Sequence, residues 1–187
     1  MRAMVIVKWA VAAVAALLVV LVAIAFVLPR HATVSRSVEI AAPPSALFAI
    51  VGDLRRFNDW SPWFDRDPAA VYTFTGPTDG VGQTLNWKSE DKTVGSGSMA
   101  IERLDPDKAV DMAITFAGQG AAKAAMVLEP VAAGTKVTWG FSSDLGFDPV
   151  ARYFGLMMDG IVGPDYDKGL AKLKAIVEKP PAVAPSP

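Results

Sequence analysis

The chain has no cysteine and a single histidine, His31. The first absence excludes disulfides, thiolate nucleophiles and cysteine-ligated metals, and it leaves the redox compartment open. The second rules out a metal centre built on several histidines. A histidine-based triad would have to recruit a residue at the membrane boundary, ahead of the folded domain. Charge of one sign is scarce as well. The chain carries 18 Lys and Arg against 19 Asp and Glu, a net charge of −1 with no basic cluster, so nucleic acid is not an expected partner.

Polar punctuation is missing from one stretch altogether: Trp9 to Leu28 holds no charged residue. At about 1.5 Å of rise per helical residue this run spans about 30 Å, the hydrocarbon thickness of a bilayer, and it predicts a membrane helix. A secretory signal is the alternative, because Arg2 and Lys8 make a basic start and Ala23-Ile24-Ala25 has the small-x-small form of a cleavage site. The apolar run continues past that site through Phe26, Val27 and Leu28, longer than a signal's usual apolar core, and this favours an uncleaved anchor. Arg2 and Lys8 flank one end while Arg30 and Arg36 flank the other, a near tie for orientation. The short basic tail leans toward staying inside, with the following domain exported.

Three parts are expected: an anchor over 1–30, a single domain over 31–179 and a proline-rich, disordered tail over 180–187. After Pro29, the alternation of Val34, Val38 and Ile40 predicts a strand over 33–40. So short a linker keeps the domain against the membrane surface. Pro43-Pro44-Ser45 opens a helix through Val51, and Leu54 to Trp60 reads as a second short helix. From Ala70 to Leu145 the period is two, broken by turns at 76–80, 105–107 and 133–135, which predicts about six antiparallel strands. Residues 149–177 return to helical spacing, with Gly163-Pro164 expected to bend or break the helix.

This order is α+β, in which a curved antiparallel sheet of about seven strands grips a long C-terminal helix. Several stretches, in order, sharpen it: Ser37-Val38-Glu39-Ile40-Ala41-Ala42-Pro43, Trp60-Ser61-Pro62-Trp63, Gly95-Ser96-Gly97-Ser98-Met99, Leu128-Glu129-Pro130, Gly134-Thr135-Lys136-Val137-Thr138-Trp139 and Arg152-Tyr153-Phe154-Gly155-Leu156-Met157-Met158-Asp159. From about Thr33 to Lys179 the chain resembles the polyketide cyclase/dehydrase and lipid-transport group of the START-like, or SRPBCC, superfamily. The resemblance implies the helix-grip fold and a cavity between sheet and helix. It implies no one ligand or reaction, because this superfamily holds carriers, receptors and cyclases.

Alternation supplies cavity candidates on the strands: Tyr72, Phe74, Leu85, Trp87, Met112, Ile114, Phe116, Met126, Leu128, Trp139 and Phe141. Phe154, Met157 and Met158 add apolar, adaptable side chains from the C-terminal helix. Trp60, Pro62 and Trp63 would gate the mouth, touch the membrane interface or cap the core. Side chains of all these types at these spacings also fill ordinary cores. Gly95-Ser96-Gly97-Ser98 runs directly into a strand pattern, so a closely packed or bulged strand is expected there rather than a phosphate cradle.

Catalysis would need a carboxylate in a dry pocket, with Asp53, Asp59, Asp65, Glu102, Asp111, Asp159 and Asp165 the residues to inspect. Solvated or helix-end roles are the simpler reading of each, and no catalytic residue, metal or cofactor is expected. The expectation is a membrane-anchored domain that binds a hydrophobic small molecule or lipid, with the bilayer as its partner surface. A cyclase or dehydratase is the enzymatic rival, and an interaction module with a filled core is the third reading. The oligomeric state is open.

Overall fold

The computed structural model describes residues 2–118 and 120–179, so the proposed tail over 180–187 lies outside the described residues. Helix α1 (Arg2–Ala25) contains a span of mean hydropathy 2.8 from Met4 to Ala25, exposed on all sides for most of its length. A turn through Phe26–Leu28 leads to strand β1 (His31–Ile40). Then come α2 (Pro44–Val51), a 3-10 turn (Leu54–Arg56), α3 (Phe57–Trp60) and α4 (Pro62–Arg66). Strands β2 (Val71–Thr75), β3 (Thr84–Lys88), β4 (Ser96–Asp105), β5 (Ala109–Phe116), β6 (Gly120–Val131) and β7 (Gly134–Asp144) follow, then α5 (Pro149–Gly155) and α6 (Met158–Glu178).

All seven strands form one antiparallel sheet in the order β1-β7-β6-β5-β4-β3-β2, with β1 returning to pair with the last strand. Alternation puts apolar side chains on one face, the inner one, and leaves Ser35, Ser37, Ala113, Lys123, Ala125, Gly140 and Ser142 among those on the other. Helix α6 lies along β1 on the inner face and buries Tyr166, Leu170 and Leu173. This is the expected α+β helix-grip arrangement. The described residues include the expected number of strands, one before the helices and six after.

Three details depart from the sequence reading. Residues 62–66 form a further helix, α4, which starts on Pro62, whose fixed φ suits a first helical turn. His31 is not ahead of the domain; it is the first residue of β1, exposed and opposite Asp144. The C-terminal helical stretch breaks at Leu156-Met157, while α6 runs on through Pro164. Pro164 sits near the start of α6, and the preceding Gly163 lies against the Arg36 guanidinium, where a Cβ would clash. Arg36 in turn forks onto Asp159 (2.8 and 3.0 Å) and reaches Asp167 (3.2 Å), which ties both sides of the proline turn to β1. The hydrogen bonds from Arg36, and secondarily its charge, lower the pKa of the Asp159 carboxyl from its ordinary value.

The glycine-rich stretch is a strand with a close approach. Gly97 in β4 has no room for a Cβ, because the Thr115 carbonyl and the Trp87 ring occupy that space.

Candidate hydrophobic binding site

Register sorts the inner face into rows that run across the sheet. His31 lies opposite Asp144, so the start of β1, nearest α1, is level with the end of β7. The same end of the sheet, here called proximal, carries the row Tyr72, Trp87, Gly97, Phe116 and Gly120. The distal end carries Ile40, Thr135, Val110 and Leu128.

Along the strands at the middle of the sheet, burial rises from the proximal end to the distal one. Along β5 it runs from half-buried Phe116 through Ile114 (9% exposed) and Met112 (4%) to Val110 (0%); along β6 it runs from Ala122 (6%) through Ala124 (3%) to Met126 (0%). The distal end is closed by α2 against β6 and by the 3-10 turn against β3. There Gln83, fully buried, accepts from the Leu54 amide (2.7 Å) and donates to Asp53 (2.8 Å) and to the Thr78 carbonyl (2.8 Å).

The middle of the inner face is packed with rings. Trp139 stacks on Tyr166 of α6 at 3.8 Å between centroids, and Trp60, Trp63 and Phe57 meet Trp139 edge-on. Such stacked and edge-to-face contacts each add about 0.5–1.5 kcal/mol to burial. Helix α4, which carries Trp63, is held to α6 by Arg66–Asp165 (2.6 Å) and Lys172–Asp65 (2.8 Å). Burial pushes the Tyr166 phenol up, and it stays protonated. The indole nitrogens of Trp60 and Trp139 are buried with no hydrogen-bond partner.

The structure therefore divides the expected lining into three groups. Trp60, Trp63, Met126 and Trp139 belong to the packed middle. Tyr72, Phe74, Trp87, Met112, Ile114, Phe116 and Phe141 are brought together on the proximal half of the inner face, with Tyr72, Phe74, Trp87, Phe116 and Phe141 half-buried. Phe64 of α4 touches Tyr72 at 5.7 Å and makes part of the rim. Burial, and secondarily the charge of Asp67, pushes the Tyr72 phenol up. Met158 is half-buried at the start of α6.

Phe154 and Met157 are the third group and require a correction. They are 55% and 58% exposed, on the outer side of the α5–α6 elbow. Leu156 and Met157 keep helical dihedrals, and tighter bonds from their amides to the Tyr153 and Phe154 carbonyls (3.2 and 3.0 Å) join α5 to α6, so the two side chains share one side of the stretch, the side away from the interior.

Sequence reasoning passed over the small residues of this region. Ala122, Ala124 and Gly97 sit on the inner face at the proximal half; the Trp87 ring fills the space over Gly97, and Ala122 and Ala124 are buried. Their signal was alanine at the inward positions of a strand otherwise set for Met and Leu. Arg36 was also passed over, although a charge within the inward series Val34–Arg36–Val38 calls for acidic partners on the covering helix.

The inspected acids lie elsewhere. Asp111 pairs with Arg103 (2.7 Å) on the outer face, Asp59 with Arg56, Asp65 with Lys172, Asp159 with Arg36 and Asp165 with Arg66. Glu102 is exposed, and Asp53 caps the 3-10 turn through the Arg55 amide. A shallow cleft of about 370 Å³ runs over the outer face between Glu102, Asp111, Lys123 and Gly140. No group of three or more metal-ligating side chains occurs among the described residues.

A seven-stranded antiparallel sheet closed over a long C-terminal helix defines the helix-grip class of proteins. Within that class, residues 31–178 match the family described as polyketide cyclase / dehydrase and lipid transport, and the chain belongs to it. The fold is shared with protein CV1439 from Chromobacterium violaceum (17% identity, TM-score 0.53, 79% of this chain and 99% of that one). It is shared also with protein Ms6760 from Mycobacterium smegmatis (16%, 0.56, 78% and 90%) and with Ara h 8.0201 (15%, 0.54, 79% and 97%). At such identities the likeness is one of fold. No match was found among curated proteins.

Proposed function

We propose that this protein binds a hydrophobic small molecule or lipid on the proximal half of its inner face, while α1 holds the domain on a membrane. The observation that carries the reading is the burial gradient. Large aromatic side chains at the proximal end stay half-buried beside short ones, while Val110, Leu128, Val137 and Ile40 at the distal end are buried. Complete burial of a large apolar side chain is worth about 1.5–3 kcal/mol, and an apolar guest over these half-buried rings would recover the fraction still exposed. The Tyr72 hydroxyl supplies a polar handle for a guest with one oxygen-bearing end. The ion-paired acids favour binding over acid–base chemistry, because none is left dry and unpartnered beside these rings.

Anchoring draws support from the way α1 ends. Ala25, the last residue of the alternative cleavage motif, is fully buried against the domain, and its carbonyl accepts from Arg152 at 3.2 Å. A tether at this point keeps the binding surface beside its lipid source and raises the effective concentration of guest. The lean toward an exported domain rests on the basic N-terminal tail alone.

The test is native mass spectrometry of the full chain released from lipid nanodiscs, comparing the natural sequence with Ala122→Phe. The natural chain is expected to retain a defined guest near one per protein after bulk lipid is stripped, and the filled variant to lose it. Equal retention by both would refute the site. A chain that retains nothing, and takes up no fluorescent fatty acid from vesicles, would refute the function.

A further inference from the structure

Large apolar side chains exposed outside α1 and its following turn are unevenly spread: six (Phe147, Val150, Phe154, Leu156, Met157 and Ile161) lie within residues 147–161 and four (Phe64, Val71, Val81 and Val127) in the rest of the domain. Val150, Phe154, Met157 and Ile161 follow one another at spacings of four, three and four, so a single apolar stripe runs along α5 and across the elbow into α6. The helix that carries the first part of this stripe, α5, packs against α1. Arg152, on the other side of α5, is 6% exposed and donates to the carbonyls of Ala25 (3.2 Å), Phe26 (3.1 Å) and Leu28 (3.3 Å), while its Nε and Nη2 hold the Gly146 carbonyl (3.0 and 2.8 Å). It thereby satisfies the Phe26 and Leu28 carbonyls just past the end of α1 and adds a second donor to the Ala25 carbonyl, which also accepts from the Leu28 amide (3.2 Å), at the negative end of that helix. The Tyr153 hydroxyl donates to the Leu21 carbonyl at 2.8 Å.

Depth follows from these bonds. Leu21 precedes the end of α1 at Ala25 by four residues, about 6 Å along the axis. Tyr153 therefore sits level with the last turn of the apolar helix, within the roughly 5–10 Å to which interfacial helices bury their apolar faces. A wet stripe beside a membrane helix would leave large apolar area in water, and lipid is the medium already in place around α1.

We infer that Phe147–Ile161 is a membrane-interface element, seated in the headgroup–acyl boundary of the same bilayer that α1 crosses, so that the proximal end of the inner face opens toward lipid. The inference rests on the anchored reading of α1. Arg30 and Arg152 lie over the Phe147 ring at 5.5 and 5.9 Å, which places cations at the headgroup level beside an aromatic side chain.

The chain lacks cysteine, so single cysteines introduced one at a time give unambiguous labels. The full chain is reconstituted in phosphatidylcholine–phosphatidylglycerol vesicles containing nitroxide lipids. An environment-sensitive fluorophore is carried at Val150→Cys, Phe154→Cys or Leu156→Cys, with Leu18→Cys inside α1 and Val81→Cys at the distal end as references. Labels at 150, 154 and 156 are expected to be blue-shifted and quenched several-fold more strongly than the label at 81. A dry label at 18 with labels at 154 and 156 as wet as that at 81 overturns the inference and leaves the anchor standing. A wet label at 18 removes the anchor and the inference together. Shielding of 154 and 156 that vanishes when protein is diluted into excess lipid identifies a second copy as the occupant and also overturns it. Loss of guest retention in the mass spectrometry test, with 154 and 156 still dry, would count against the binding site alone.

Discussion

The two ends of the sheet's inner face are built from opposite materials. The distal end is closed by polar atoms: Gln83 bonds to Leu54, Asp53 and Thr78, and the buried Thr135 hydroxyl donates to the Ala42 carbonyl at 2.7 Å. At the proximal end the closure is incomplete and apolar, with half-buried Tyr72, Trp87 and Phe116 above Gly97 and Ala122. Buried hydrogen bonds specify one geometry, because breaking any of them leaves an unsatisfied group. Apolar contact tolerates exchange of one partner for another. The molecule thus fixes the end far from α1 with polar bonds, and on the proposed function the end near α1 would be the one to accept a guest.

Substitutions should expose this contrast, and the largest effect is expected between the two ends. Trp139→Ala removes the ring stacked on Tyr166 and the hub of the aromatic cluster, at a cost of about 3–5 kcal/mol in urea unfolding of the full chain in detergent. A loss below about 1 kcal/mol would mean that the middle of the face is hollow. At the distal end Gln83→Leu leaves the Leu54 amide without a partner and the Thr78 carbonyl with only the longer bond from Arg55 (3.3 Å). The expected cost is about 2–3 kcal/mol, with guest retention unchanged at a protein concentration and temperature where the variant is folded.

The smallest effect is electrostatic and lies at the proximal end. Asp144, hydrogen-bonded by Arg30 and by the Gly146 amide, has its pKa lowered from 3.8 to about 2. Its contribution is therefore fully present above about pH 4 and is lost as the pH falls toward 2. A carboxyl carbon NMR titration should give the low midpoint, and Arg30→Gln should return it toward 3.8. An unchanged midpoint in that variant would assign the shift to the Gly146 amide instead.

Much of the fold was legible because a strand has only two faces. Once alternation placed Tyr72, Trp87, Met112, Phe116 and Trp139 inward, register followed from the turns, and the structure sets them on a common side. Helix α4 was missed although Pro62 carried its start signal, since a helix this short leaves no periodicity to count. Phe154 and Met157 were misplaced for a different reason. Periodicity finds the apolar side of a helix but not the medium it faces, and α5 has a buried side toward α1 and an apolar side away from the core. The gradient of burial was not legible at all, because it depends on which part of the sheet α6 and α2 cover.

Arg152 and Tyr153 fasten α5 to the end of α1 through four backbone carbonyls, Leu21, Ala25, Phe26 and Leu28, and leave no slack between helix and domain. For a chain anchored by α1, that fastening removes reach. On the proposed function the domain would not swing to a second membrane as a free carrier does, and a guest would arrive and depart by lateral diffusion or through a visiting protein. Turnover would then scale with encounters per unit of membrane area rather than per unit of volume.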